Sequence, residues 1–181
     1  MNYLSNLKKI RFKINFIFII KMTYNYFNDV WSLYFHDPYD MNWEPNSYKF
    51  ITTISSVDDF VEIYKTFSDL WSRGMFFIMR EHIAPRWEDD NNKNGGCFSF
   101  KINKTEVLDK LFEITSQVLG ETLGKTDVIS NNINGISICP KKNYHILRIW
   151  IKTNQNISKD NYNFQIPNYS TLMYKSHLDS I

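Results

Sequence analysis

The chain has 181 residues, which favours a single domain, and its net charge of +2 is too small to hold a long nucleic acid by charge alone. The hydrophobic share of 43% and the charged share of 22% are ordinary for a globular protein. Aromatic residues make up 17%, which suits β-sheet and also suits stacking on flat ligands. The two cysteines, Cys97 and Cys139, lack metal-ligand spacing and indicate a reducing compartment.

The first 28 residues lack the pattern of a folded element. A basic start is followed by the mostly apolar run 14–20, which is too short to span a bilayer, and no small-residue cleavage site follows it. We predict a flexible N-terminal extension over residues 1–28 and one folded domain over residues 29–181. A weak membrane-surface anchor and a true start at Met22 are the alternatives.

Two strands and a helix are predicted in the first half of that domain. The segment DVWSLYF from Asp29 and the β-branched segment 47–54 are typical of strands, with a loop rich in Pro, Asp and Asn between them. Ser56 followed by Asp59 has the spacing of a capping box, which predicts that a helix begins there and continues to Trp71. The apolar stripe of this helix comprises Phe60, Tyr64, Phe67 and Trp71.

The second half combines further strands with one more helix. MFFIMR at 75–80 and CFSFKI at 97–102 predict strands, and residues 104–119 predict a helix with Gly120 at its C-cap. The buried face of this helix is predicted to comprise Leu108, Leu111, Phe112, Thr115, Val118 and Leu119. The segment 134–151 predicts a hairpin, and a short strand follows near 171–174. This order indicates an α+β fold with a mainly antiparallel sheet, in which helices cover one face and leave the other for a ligand.

Trp43 and Trp87 are unusual because each stands in a polar loop, and Glu88 follows Trp87 directly. Two loop indoles can enclose a flat, electron-poor ring, and a cationic ring gains most because the indole face is negative. A carboxylate beside that ring would accept hydrogen bonds from its N–H groups. The alternative is that both indoles pack as ordinary hydrophobic lids.

The other polar candidates have plainer interpretations. Successive side chains of an extended segment point apart, so Glu88, Asp89 and Asp90 predict a solvated acidic turn in which Glu88 alone has a role. The isolated histidines are interpreted as structural or surface residues: His36, His82 and His145.

Lys141 and Lys142 lie between two predicted strands, where a pair of cations either grips a phosphate or solubilises a hairpin tip. Arg86 and Lys93 can add to such a grip. The sequence has no nucleophile elbow, phosphate-binding loop or Rossmann fingerprint, and the glycine pair 95–96 is interpreted as a turn.

Five sequence blocks follow one another along the chain: WSLYF from Trp31, the loop Trp43, VDDFVEIY from Val57, IAPRWEDDNNKNGG from Ile83, and YKSHLD from Tyr174. LGE at 119–121 and RIW at 148–150 fit the same pattern. In this order they resemble the translation initiation factor 4E family of mRNA cap-binding proteins, over about residues 29–181.

The resemblance implies a curved, mainly antiparallel sheet with helices on its convex face and a cap-binding slot on its concave face. Trp43 and Trp87 would sandwich the 7-methylguanine, and Glu88 would accept the N1–H and N2–H of the base. The backbone N–H of Trp87 would meet O6, and Trp150 would flank the methyl group. The methyl group makes the purine cationic, which strengthens its stacking on indole.

The chain departs from the family pattern where the cap phosphates would be held. The family has an Arg directly after the glycine pair, then a further Arg, then a Lys five residues later. The aligned residues are Cys97, Lys141 and Ile146, so one cation is kept. Lys142 and His145 are the candidates to compensate, and we assign Lys141 and Lys142 to the cap-binding set.

The convex face departs from the pattern as well. The family's scaffold-docking Trp is Val61 here, and interface anchors are usually aromatic. The partner-binding surface is predicted to comprise Val57, Val61, Phe112, Glu113 and Gly120. The expected partner is a scaffold protein of the initiation factor 4G type, docked weakly, or a non-standard replacement.

The resemblance implies a cytoplasmic initiation factor that binds capped mRNA and recruits it for translation. It implies no enzymatic activity, cofactor, metal or stable membrane association, and a cap-hydrolysing enzyme would need metal-binding carboxylates on a helix, which we do not find. The alternative is a cap-binding decoy or repressor that does not dock the usual scaffold, which Val61 favours. The Asn-, Ile- and Lys-rich composition suits an AT-rich genome, such as that of a large DNA virus or a protist.

Overall fold

The computed structural model describes residues 25–155 and 157–180. Its strands are β1 (Tyr26–His36), β2 (Lys49–Ser56), β3 (Met75–Arg80), β4 (Gly96–Asn103), β5 (Ile133–Pro140), β6 (Tyr144–Ile151) and β7 (Met173–Ser176). These strands form one curved sheet in the spatial order β2-β1-β3-β5-β6-β4-β7, and every neighbouring pair is antiparallel. The predicted α+β class with an antiparallel sheet is confirmed.

The α-helices of the described residues are α1 (Val57–Thr66), α2 (Val107–Leu119) and the short α3 (Asp127–Ser130). Three single 3₁₀ turns occupy Pro45–Ser47, Lys159–Asn161 and Leu178–Ser180. None of the helices in 25–155 and 157–180 is long and apolar enough to cross a membrane. Strand β1 starts within the segment 1–28 that the sequence assigned to an extension, and the prediction for residues 1–24 lies outside the described residues.

Helix α1 begins at the predicted capping box. The hydroxyl of Ser56 accepts a hydrogen bond from the Asp59 backbone N–H at 3.1 Å, and the Asp59 carboxylate accepts one from the Ser56 backbone N–H at 2.9 Å. The helix ends at Thr66, earlier than the predicted Trp71. Ser68 and Asp69, which favour turns over helix interiors, follow that end, and the Trp71 indole N–H donates to the Tyr64 carbonyl at 3.0 Å.

The predicted buried face of α2 is partly wrong. Ile114 is fully buried, whereas Leu108 and Phe112 are 37% and 39% exposed. Phe112 stacks on Phe60 of α1, with 5.3 Å between ring centroids, so this side of α2 packs against the neighbouring helix instead of the sheet. Gly120 is the C-cap as predicted, although the left-handed conformation, with a φ of 54°, falls on Glu121.

The pleat of the sheet separates two apolar clusters, because successive side chains point to opposite faces. On β6, Leu147, Ile149 and Ile151 belong to the main core, which includes the buried residues of α1 and α2. Trp150 belongs to a smaller cluster on the opposite face, together with Met75, Phe77, Met79, Ile83, Cys97 and Cys139. The helices therefore cover one face of the sheet, and the smaller cluster forms the floor of the other.

Candidate ligand-binding cleft

A cleft of about 570 Å³ opens on the sheet face opposite α1 and α2, and we call it the concave cleft. Its aromatic lining comprises Trp43, Tyr48, Phe77, Trp87 and Trp150. Its charged lining comprises Glu88, Arg86, Lys141, Arg148 and Lys175. The remaining lining residues are Pro38, Met75, Pro85, Cys97, Ser99, Cys139, Pro140 and His177. The cleft thus combines flat aromatic surface with several cations and one carboxylate.

The β1–β2 loop places Trp43 at the cleft through local side-chain turns. Asp37 accepts a hydrogen bond from the backbone N–H two residues on, and Asp40 and Asn42 do the same, at 2.8–2.9 Å. Such Asx turns explain why a segment rich in Asp and Asn adopts one compact shape. Trp43 remains 48% exposed.

One face of the Trp43 indole lies on His36, which is fully buried at the end of β1. The two rings are 4.3 Å apart and nearly parallel, at 7°. The His36 Nε2–H donates to the Asn42 carbonyl at 2.9 Å, which fixes the imidazole plane. Trp43 is therefore supported on one face and available to a ligand on the other.

The loop between β3 and β4 carries Trp87 and Glu88 and is held by two polar side chains. Asn92 is fully buried, and its amide N–H groups donate to the carbonyls of Ala84 at 3.0 Å and Arg86 at 2.8 Å. The Asp89 carboxylate accepts from the Ala84 backbone N–H at 3.0 Å. Asp89 therefore holds the loop together, so the prediction that it belongs to a solvated acidic turn is wrong for this residue.

The end of the loop is also more constrained than the predicted glycine turn. A Cβ on Gly95 would lie 1.7 Å from the Ile151 carbonyl oxygen, so only glycine fits against β6 at this point. The Gly95 carbonyl accepts a hydrogen bond from the His177 backbone N–H at 2.9 Å. Close packing between loop, β6 and the segment after β7 sets the height of the loop above the sheet.

A buried hydrogen-bonded chain joins this loop to the cleft floor. The His177 Nδ1–H donates to the Asn92 carbonyl at 2.8 Å, so the neutral ring presents Nε2 as an acceptor to the Cys97 thiol at 3.3 Å. Burial raises the pKa of Cys97 to about 12, which keeps the thiol protonated as a donor, and burial also lowers the pKa of His177. Both groups are neutral at physiological pH.

Trp87 is 38% exposed, and Glu88 forms an ion pair with Arg86, with 3.2 Å between Oε1 and Nη2. Trp150 lies on the floor at 7% exposure, and its Nε1–H donates to the Ser137 hydroxyl at 3.0 Å. The structure thus brings together at one cleft the predicted residues Trp43, Trp87, Glu88, Trp150 and Lys141.

The two residues named as compensating cations are not among the lining residues of the cleft. Lys142 is exposed on the β5–β6 hairpin and is not among the lining residues. His145 is buried on the helix-covered side, where its Nε2–H donates to the Ser72 carbonyl at 2.7 Å, so a compensating role for His145 is wrong. Its interpretation as a structural histidine is confirmed.

Sequence reasoning missed two cations that line the cleft, Arg148 and Lys175. The signal for Arg148 was present, because the period of two along β6 places it on the face of Trp150. Lys175 lies inside the quoted YKSHLD block, but its approach to the cleft depends on the pairing of β7 with β4.

The predicted partner-binding residues lie on α1, α2 and the cap of α2. Val57 and Phe112 are 44% and 39% exposed, and Val61 is partly buried. Glu113 forms an ion pair with Lys110 at 2.8 Å. Together with Leu108, these residues leave an apolar surface on the helix-covered side, away from the concave cleft.

The amino-acid sequence resembles known proteins along most of the described chain. The family model for eukaryotic initiation factor 4E matches residues 26–181. The chain is 29% identical to eukaryotic translation initiation factor 4E of Candida albicans, over 69% of this chain and 63% of that protein. It is 29% identical to factor 4E-1 of Schizosaccharomyces pombe, over 83% of this chain and 74% of the relative. The factor 4E homolog of Acanthamoeba polyphaga mimivirus is 28% identical, over 70% and 46% of the two chains.

The fold also resembles solved structures. The complex of C. elegans eIF4E-3 with the 4E-binding protein Mextli and cap analog superposes with a TM-score of 0.73 at 22% identity, over 86% of this chain and 94% of that one. Ascaris suum eIF4E-3 with m7G cap gives a TM-score of 0.70 at 19% identity, over 84% and 91%. The fold agrees with the sequence match, and the chain belongs to the eukaryotic initiation factor 4E family.

Proposed function

We propose that this chain binds the 7-methylguanosine cap of mRNA in the concave cleft and recruits capped messages for translation initiation. The observation that carries the proposal is the pair of half-exposed loop indoles, Trp43 and Trp87, which line one cleft together with the carboxylate of Glu88. Relatives are named as initiation factors, and structural neighbours are described in complexes with cap or cap analogs.

The chemistry of the cleft suits a methylated purine. Stacking of a cationic ring on an indole face contributes about 0.5–2 kcal/mol for each face, and more when water is excluded. Glu88 accepts the N1–H and N2–H of the base, and charge assistance strengthens both bonds. Trp150, whose indole N–H donates to Ser137, lies at the cleft floor and flanks the methyl group. Plain guanine lacks the positive charge and binds more weakly.

The same proposal includes a protein partner that binds on the helix-covered side of the sheet. Val57, Val61 and Phe112 offer apolar surface to an amphipathic helix of a scaffold or 4E-binding protein. Val61 covers less area than an aromatic anchor, which favours weak docking or a non-standard partner. The alternative is a cap-binding decoy or repressor. A pull-down with a scaffold peptide of the initiation factor 4G type decides between the two: a chain that binds cap but not this peptide favours the alternative.

Tryptophan-fluorescence titration with 7-methyl-GTP, 7-methylguanosine and GTP tests the base site. Trp43→Ala and Trp87→Ala should each cost about 2–4 kcal/mol of cap affinity, because stacking and water exclusion are lost. Tyr39→Ala is the matched control, since Tyr39 is a 90% exposed aromatic residue of the same loop as Trp43 and does not line the cleft. Near-normal titration of either tryptophan variant refutes the sandwich.

Glu88→Ala tests the edge readout separately. Its loss leaves the two ring donors of the bound base unpaired, so the affinity for 7-methyl-GTP should fall. Asp90→Ala is the control, because Asp90 is an exposed acid of the same loop whose partner is Lys93. An affinity of Glu88→Ala for 7-methyl-GTP equal to that of Asp90→Ala contradicts the assignment of Glu88.

A further inference from the structure

Three of the cations that line the concave cleft have no ion-pair partner within 25–155 and 157–180. Arg86 is neutralised by Glu88, which is the only carboxylate among the described lining residues. Lys141, Arg148 and Lys175 take part in none of the ion pairs of the described chain. The cleft therefore holds an excess of positive charge, although the whole chain carries only +2.

The strand register places these cations around one side of the cleft. Arg148 on β6 pairs with Ser99 of β4 and with Ser137 of β5, so small hydroxyl residues flank it on both sides. Lys175 on β7 pairs with Cys97, which also pairs with Trp150. Neighbouring strands are about 4.8 Å apart, so long side chains from β6 and β7 can meet above β4.

The same register relates Arg148 and Lys175 to the two positions at which the expected cations are absent. Arg148 lies two residues after Ile146 on the same strand, and therefore on the same face. Lys175 lies directly across from Cys97 on the adjacent strand. A cation thus lies two residues along the strand from one of these positions and directly across from the other on the adjacent strand.

We infer that Arg148 and Lys175, together with Lys141, form a polyphosphate-binding subsite for the nucleotide whose base occupies the concave cleft. This inference rests on the proposed function, because it assumes that the base lies against Trp150. The guanidinium of Arg148 offers a planar fork of donors that matches phosphate oxygens, and the lysines add point charges. Cys97 stays a neutral thiol, so it adds no opposing charge to the subsite.

The test compares 7-methyl-GTP with 7-methylguanosine in fluorescence titrations of the full chain. Arg148→Gln should lower affinity for the triphosphate by about tenfold or more, because a charge-assisted bond is lost, and should leave nucleoside affinity unchanged. Lys175→Gln should act in the same direction with a smaller effect. Arg148→Lys should retain most of the triphosphate affinity, because it keeps the charge.

Lys125→Gln is the control, since Lys125 is an exposed cation that does not line the cleft. It should change neither titration. If the nucleoside binds and Arg148→Gln leaves the triphosphate-to-nucleoside ratio unchanged, the subsite is refuted and the base site stands. If the unaltered protein binds neither 7-methylguanosine nor 7-methyl-GTP, the proposed function falls and the subsite falls with it.

Discussion

At the scale of single residues, His36 determines how firmly Trp43 is held. The imidazole lies under the indole at 4.3 Å and is tied to the Asn42 carbonyl, so the loop tryptophan rests on a buried, oriented ring. A ring held in this way loses little freedom when a ligand stacks on its other face. We therefore expect His36 to act on ligand affinity through Trp43.

We expect His36→Ala to weaken 7-methyl-GTP binding by up to about tenfold, because an aromatic pair contributes about 0.5–1.5 kcal/mol beyond its buried area. His36→Phe should recover most of that affinity, since it keeps a flat ring under Trp43. Fluorescence titration of both variants measures the difference. An equal loss in both would assign the effect to the hydrogen bond with Asn42.

Asn92 is the second residue on which the site depends, because it joins two carbonyls of the Trp87 loop to Asn134 of β5. Asn92→Ala leaves buried polar groups unpaired and should lower the free energy of unfolding by about 1–3 kcal/mol. Urea denaturation measures this loss, with exposed Asn91→Ala as the control, for which we expect less than about 0.5 kcal/mol. A stability of Asn92→Ala equal to that of the control would contradict the role.

At the scale of elements, His145 links β6 to the turn before β3 through the Ser72 carbonyl. Burial lowers the pKa of His145 below its ordinary value of 6.5, which means that the unfolded chain binds its proton more readily. Its contribution to stability is complete above the ordinary pKa and is lost as pH falls towards the folded-state pKa. His177 has a lowered pKa as well and acts with the same sign.

We therefore expect the melting temperature to fall between about pH 7.5 and about pH 5.5. His145→Gln, which does not titrate and can still donate to Ser72, should show a smaller fall than the unaltered chain. Thermal melts at both pH values, followed by circular dichroism, make the comparison. An identical pH dependence in the two proteins would show that His145 does not contribute.

At the scale of the whole molecule, the folded domain is proposed to comprise the strands and helices from β1 onwards. Both β1 and the family match begin at residue 26. A fragment of residues 25–181 should therefore melt within about 2 °C of the full chain and bind 7-methyl-GTP equally well. A larger drop, or weaker binding, would show that residues 1–24 belong to the folded unit.

The sequence by itself predicted most of the local structure and singled out the loop residues that we propose for the base site. Alternation of side chains predicted the strands, the spacing of Ser56 and Asp59 predicted the start of α1, and polar loops marked Trp43 and Trp87 as exceptional. These features depend on residues within one turn or one pleat of each other, so a short window of sequence contains them.

Only the tertiary structure decided which cations share the cleft. It also showed that Phe112 packs against Phe60 of α1 and not against the sheet. Arg148 and Lys175 come together because β4 lies between β6 and β7, and this order cannot be read from the period of any single strand. Contacts between distant segments follow from strand pairing and helix packing. The cations that we propose for the phosphates could therefore be identified only once the strand register was known.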